Sequence, residues 1–127
     1  MPSYDALAFD PPALVARVVL RNPESGTTVS DVSLLLDTGA DVTLLPRTAV
    51  ERLGVPLLSD QRYELMSFDG SKSFAPVVML DLMLLRRAFR GRYRLIEAER
   101  GILGRDILNH VTLFLDGPRR QWSEQWA

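Results

Sequence analysis

The stretch Leu34-Leu35-Leu36-Asp37-Thr38-Gly39-Ala40-Asp41 decides how the rest of the chain reads. An apolar run ends in a carboxylate, a hydroxyl and a glycine, and Val42 to Leu45 then resumes the apolar character. Asp, Thr and Gly are common turn residues, so the plain reading is a loop between two strands. The setting adds a second reading. Three consecutive leucines suggest a strand buried on both faces. A carboxylate held in such an apolar surround is costly unless it is paired or put to use.

Working outward, Thr27 to Asp37 reads as one strand and Ala13 to Leu20 as another, with the turn cluster Asn22-Pro23-Glu24-Ser25-Gly26 between them. Two such runs around a Pro/Gly turn predict a β-hairpin. On the other side, Pro46 to Leu53 predicts a short helix, with Pro46 in its first turn and Gly54 as a left-handed cap at its end. Arg62 to Phe68 and Ser73 to Leu80 flank Asp69-Gly70, a strong hairpin signal. Asp81 to Ala88 and Arg92 to Ala98 predict a further hairpin turning at Arg90-Gly91. Arg105 to His110 could form a short helix, and Val111 to Leu115 a last strand. The expected fold class is mainly β, with one or two short helices. Residues 1–116 form the expected domain, and 117–127 a polar C-terminal tail holding Trp122 and Trp126. Four residues apart, the two tryptophans would share a face of a helix. Packing of the tail on its own domain is the default expectation.

Composition narrows the chemistry. The chain has 127 residues, 46% hydrophobic and 24% charged, which suits one globular domain. Fifteen basic against sixteen acidic residues leave a net charge of −1, so global charge gives no reason to expect nucleic acid or a membrane surface as partner. There is no cysteine, which excludes disulfides, thiolate nucleophiles and cysteine-ligated metal. The single histidine, His110, makes a Ser- or Cys-type triad hard to build and has no neighbour at metal-ligand spacing. A hydrolase of this composition must work with carboxylates. Met1 to Pro12 lacks a basic start and an apolar core, so no signal peptide is expected. The longest apolar run, Pro76 to Leu85, is broken by Asp81 and is too short to span a bilayer. The expectation is a soluble, cytoplasmic protein. Arg86, Arg87, Arg90, Arg92 and Arg94 could form a basic patch, but their partial alternation fits the wet face of a hairpin better.

The apolar run followed by Asp37-Thr38-Gly39-Ala40-Asp41 resembles the signature of the retropepsins, the aspartic proteases of retroviral type. A second signature of that family, two aliphatic residues followed by Gly, Arg and Asp or Asn, is matched by Ile102-Leu103-Gly104-Arg105-Asp106. The two occur in the family's order, with a glycine-containing hairpin between them. The resemblance implies a closed β-barrel of the acid-protease fold, one lobe per chain, acting as an aspartic endopeptidase on polypeptide substrates. One Asp-Thr-Gly per chain implies a homodimer, since the chemistry needs two carboxylates and a two-fold axis supplies the second. No metal or cofactor is implied.

By the same resemblance, Asp37, Thr38 and Gly39 form the catalytic loop. Thr38 would bond across the dyad to the other subunit, and Gly39 would let backbone come close to it. Ala40, Asp41 and the hairpin tip Phe68, Asp69 and Gly70 would meet substrate. Ile102, Leu103, Gly104, Arg105 and Asp106 would support the site, with Arg105 pairing Asp41. The chain departs from the viral pattern in its helix, Pro46 to Leu53, which is longer and closer to cellular or bacterial members, and in three further places. Val42 stands where a second acidic residue is frequent, Asp106 where Asn is frequent, and the tip Ser67 to Ser71 holds a single glycine. A rival reading keeps the fold without turnover, as a catalytically silent dimerisation or peptide-binding module.

Overall fold

The computed structural model describes residues 2–66 and 72–125. Among the described residues, ten strands and two short helices follow one another: β1 (Tyr4–Asp5), β2 (Ala13–Arg21), β3 (Thr28–Leu36), β4 (Leu44–Pro46), α1 (Arg47–Glu51), β5 (Leu57–Met66), β6 (Lys72–Leu84), β7 (Arg87–Ile96), β8 (Gly101–Leu103), α2 (Arg105–Leu108), β9 (Leu113–Asp116) and β10 (Gln121–Glu124). The large sheet runs β1-β2-β3-β8-β4-β7-β6-β5, and β2 also pairs with β6. That extra pairing closes β2, β3, β8, β4, β7 and β6 into a six-stranded barrel, the mainly β architecture expected from the sequence.

The first hairpin forms where its turn residues predict it. Asn22 accepts at its side-chain oxygen from the Glu24 and Ser25 amides, and Gly26 takes a left-handed φ of 78°. Asn22 also ties this turn to the end of α1 by donating to the Leu53 carbonyl at 3.1 Å. The inner faces of β2, β3 and β6 supply a core in which Leu20, Leu34, Val78, Leu80 and Leu82 are fully buried, joined by Leu45 and Leu103. Each such side chain contributes about 1.5–3 kcal/mol relative to exposure. Leu35 and Leu36 are half-buried. The leucine run is therefore sealed on one face and partly open on the other.

The second hairpin turns elsewhere than expected. β6 continues through Asp81 to Leu84, and the turn is Leu85-Arg86, with φ of 52° and 65°. A two-residue hairpin of type I′ needs positive φ at both central residues, and here non-glycine residues accept it. Arg90 and Gly91 lie inside β7, opposite Asp81 and Leu80. Asp81 does not end the strand because its charge is answered across the ladder by Arg90. Along β7 exposed and covered positions alternate, with Arg90 and Arg92 on the outer side.

β4 is shorter than the resumed apolar run suggests, since Val42 and Thr43 precede it. Residues 121–124 are a strand rather than a helix, paired antiparallel with β9. Trp122 is 1% exposed and donates its indole N–H to the Val15 carbonyl at 3.2 Å. The N-terminal segment lines the other side of β10, with Tyr4 N–H donating to Arg120 and Trp122 N–H to Pro2. Arg87 adds hydrogen bonds to the His110 carbonyl and the Glu124 carboxylate. Trp126 lies outside the described residues. Among the described residues, no helix is long and apolar enough to cross a membrane.

Candidate active site

β3 delivers Asp37 to the end of the barrel and β8 runs parallel beside it, with Leu34, Leu35 and Leu36 opposite Gly101, Ile102 and Leu103. Parallel pairing aligns the ends of both strands, so the Asp37 loop and the Gly104-Arg105-Asp106 corner emerge together. The backbone joins them directly. Asp37 N–H donates to the Leu103 carbonyl at 3.1 Å, and Arg105 N–H to the Ala40 carbonyl at 2.9 Å. Gly104 is required at this crossing. A Cβ there would lie 2.5 Å from the Val42 carbonyl oxygen, a backbone atom that cannot swing aside.

Within the loop, Gly39 N–H donates to Asp37 Oδ1 at 2.9 Å, and Ala40 N–H to the Asp37 carbonyl at 3.1 Å. A Cβ on Gly39 would sit 3.1 Å from the same carboxylate oxygen, so the close approach expected of this glycine is present within one chain. Asp37 is half-buried, while Thr38 and Gly39 are exposed. The apolar surround expected for the carboxylate is thus incomplete in a single chain. Arg105 reaches back over the loop and donates from Nη1 to the Thr38 carbonyl at 2.7 Å.

Asp106 faces the other way. Its carboxylate accepts from Thr43 N–H at 3.0 Å and from the Thr43 hydroxyl at 2.6 Å. The same hydroxyl oxygen accepts from Gly104 N–H at 3.0 Å. Thr43 is fully buried. Nothing in the motif reading singled it out, because a threonine between Val42 and Leu44 looks like ordinary β-branched filler. Its one signal is a hydroxyl at an interior position, which demands a partner.

The structure thus brings together Asp37, Thr38, Gly39, Ala40, Leu103, Gly104, Arg105 and Asp106, with Ile102 in the adjoining strand. Asp41 is exposed on the rim of the loop. The substrate-facing residues expected at the hairpin tip, Phe68, Asp69 and Gly70, lie outside the described residues, although the arms of that hairpin pair as far as Met66 and Lys72. Among the described residues, no three His, Asp or Glu side chains converge as metal ligands. The Arg90 hydrogen bond holds the Asp81 carboxyl below the usual range, and burial pushes the Tyr93 hydroxyl up.

Comparison with known proteins agrees with this geometry. A family model described as aspartyl protease matches residues 25–107. The EIAV protease complexed with the inhibitor HBY-793 is similar, with a TM-score of 0.57 and 23% identity over 77% of this chain and 86% of that one. A retropepsin-like aspartic protease from Rickettsia conorii gives a TM-score of 0.50 and 14% identity, covering 82% of this chain and 87% of its own. At these identities both speak to the fold, a retropepsin-like barrel of one lobe per chain. No curated protein matches the sequence.

Proposed function

The chain belongs to the aspartyl protease family, and from that membership we propose that it is a homodimeric aspartic endopeptidase whose reacting carboxylates are Asp37 of each subunit. The observation that carries the reading is one Asp37-Thr38-Gly39 loop per chain, left open at the surface of the single subunit. A carboxylate chemistry that needs two partners is half built in each chain, and a two-fold axis through the loop completes it.

Two carboxylates brought face to face cannot both carry full charge, so the pair holds one proton between them. The charged member takes a proton from a bound water, which attacks the peptide carbonyl. The protonated member donates toward the carbonyl oxygen, and a proton then passes to the leaving amine. Gly39 N–H orients one carboxylate oxygen from within its own chain. Thr38, exposed beside it, is free to meet the other subunit. We assign Ala40 and Asp41, together with Phe68, Asp69 and Gly70, to contact with substrate. Arg105 fixes the loop through the Thr38 carbonyl, and we assign it the pairing with Asp41 as well.

Mixing tests the shared site. Wild-type chains are combined with Asp37→Asn chains at equal amounts under exchange conditions, and cleavage of a peptide library is measured. A composite site leaves about a quarter of the dimers fully wild type, so activity falls to about a quarter of the undiluted value. A fall to one half would mean that each chain works alone. Absence of cleavage by the wild-type protein itself would favour the silent peptide-binding module.

A further inference from the structure

The segment Leu103 to Asp106 holds the Asp37 loop at four points: Asp37, Thr38, Ala40 and Thr43. Three of these points engage loop backbone alone. Thr43 is the one whose side chain takes part, and it does so in the fully buried interior. Its oxygen accepts from Gly104 N–H while its proton goes to Asp106 Oδ1, and its own N–H goes to Asp106 Oδ2. Every polar atom of the Thr43 side chain, and its amide, is committed to this corner. The partner carboxylate is suited to it, since two donors approach and an ionised Asp offers an acceptor to each. An amide would offer one acceptor to these two donors, so either the hydroxyl proton or the Thr43 amide proton would be left without a partner inside the protein.

We propose that Thr43 is a positioning residue of the catalytic loop, latching it to the start of α2 through the Asp106 carboxylate and thereby fixing where Asp37 stands. The inference rests on the protease reading for its effect on turnover, but the latch itself can be read without substrate. Loss of the latch frees the loop between Ala40 and Leu44 while the barrel strands stay paired. An Asp37 displaced by a fraction of an ångström still lets substrate bind, yet loses the alignment with its partner that the reaction needs.

The test compares Thr43→Val, Thr43→Ser, Asp106→Asn and the Thr43→Val/Asp106→Asn pair in the full chain. Turnover is measured per folded molecule, with amide hydrogen exchange beside it. Thr43→Val should lower kcat about ten- to a hundredfold with KM within about twofold. It should speed exchange at the Gly104 amide but not at Val78 or Leu80. Thr43→Ser, which keeps the hydroxyl and the amide, should restore both readouts. Once Thr43 is Val a single donor remains, which the one acceptor of an amide can satisfy, so adding Asp106→Asn should cost much less than it does alone. An unchanged kcat in Thr43→Val, or uniform acceleration of exchange across barrel and corner, would overturn the proposal. Should Thr43→Val fail to fold, Asp106→Asn and Thr43→Ser decide it by the same readouts. Should the wild type cleave nothing, the exchange pattern still judges the latch, and the protease reading fails separately.

Discussion

Asp81 on the barrel wall and Thr43 beneath the Asp37 loop are both polar and both buried, yet they are satisfied in opposite ways. Asp81 lies on the central strand of the wall, with Arg90 beside it on β7 at 2.8 and 3.1 Å and Arg21 on β2 at 3.8 Å. The side chains of both arginines remain substantially in water, 62% and 43% exposed. The charge is therefore answered by neighbours that solvent can replace. Thr43 has no such reserve. Its partners, Gly104 and Asp106, are about sixty residues away in sequence, and water does not reach it. The wall tolerates a buried charge because it is near the surface and doubly covered. The site depends on neutral and charge-assisted hydrogen bonds that have no substitute. Damage at the wall should register weakly in stability, and damage at the site in geometry and chemistry.

The largest separation of the two regions comes from Asp37→Asn. Proton transfer between the paired carboxylates is abolished, and activity should fall by about 10⁴-fold or more. The Gly39 N–H still finds an amide oxygen at the same place, so the thermal midpoint should hold or rise. Measurable turnover by this variant, assayed free of wild-type protein, would remove Asp37 from the chemistry.

Trp122→Ala probes the docking of β10 on β2, which neither the wall nor the Thr43 corner shares. The indole is buried and hydrogen-bonded to Val15, so its loss should cost about 3–5 kcal/mol in chemical denaturation. Turnover per folded molecule should stay near wild type, because the hydrogen bonds that hold the Asp37 loop do not involve the indole. A stability change below about 1 kcal/mol would mean that β9 and β10 are an appendage rather than part of the fold.

Gly104→Ala strikes where the two chain segments cross. The new methyl must push against the Val42 backbone at 2.5 Å. Overpacking of this kind costs about 1–3 kcal/mol, and relief requires the loop to part from α2. Stability and kcat should fall together. A variant that is less stable but fully active would show that Asp37 does not depend on this contact.

The halves of the site were unequally legible in sequence. Asp37-Thr38-Gly39 and Gly104-Arg105-Asp106 stand out because their composition breaks two apolar runs, and the parallel β3–β8 pairing brings them together. Asn22 to Gly26 was legible for the same reason, since side-chain capping and positive φ leave marks in composition. Thr43 left none, because its role exists only once Asp106 has been brought beside it. The turn at Leu85-Arg86 was hidden likewise. Left-handed backbone in non-glycine residues is imposed by the register of β6 on β7, while Gly91 drew the expectation to a position that is mid-strand. The β10 strand was missed because Trp122 at helical spacing from Trp126 suggested a helix. The pairing of Trp122 with Leu115 depends on the hairpin turn Gly117-Pro118-Arg119-Arg120, a Gly-Pro turn signal that reads as part of a polar tail until the strands pair.

The smallest effect belongs to the wall, and pH gives its sign. The Arg90 hydrogen bond is the main cause that holds the Asp81 carboxyl below its usual range, with the charges of Arg90 and Arg21 adding to it against the opposing effect of burial. A carboxyl whose folded value is depressed gives the unfolded chain the greater share of protons as pH falls. Its contribution is thus fully present above about pH 4 and fades as pH drops through the lower, folded value. Asp81→Asn removes that contribution. At pH 7 the variant should be less stable by under about 1 kcal/mol, since Arg90, the main partner that is lost, lies largely in water. The gap between the two proteins should narrow as pH falls below about 4. Asp5, held low by the Ala8 and Leu7 amides, titrates in the same range, but it is present in both proteins and cancels in the difference. Urea midpoints of wild type and variant across this range measure the gap directly. A gap that stays constant into acid would mean that packing around Asp81, rather than its charge on Arg90, sets its value to the wall.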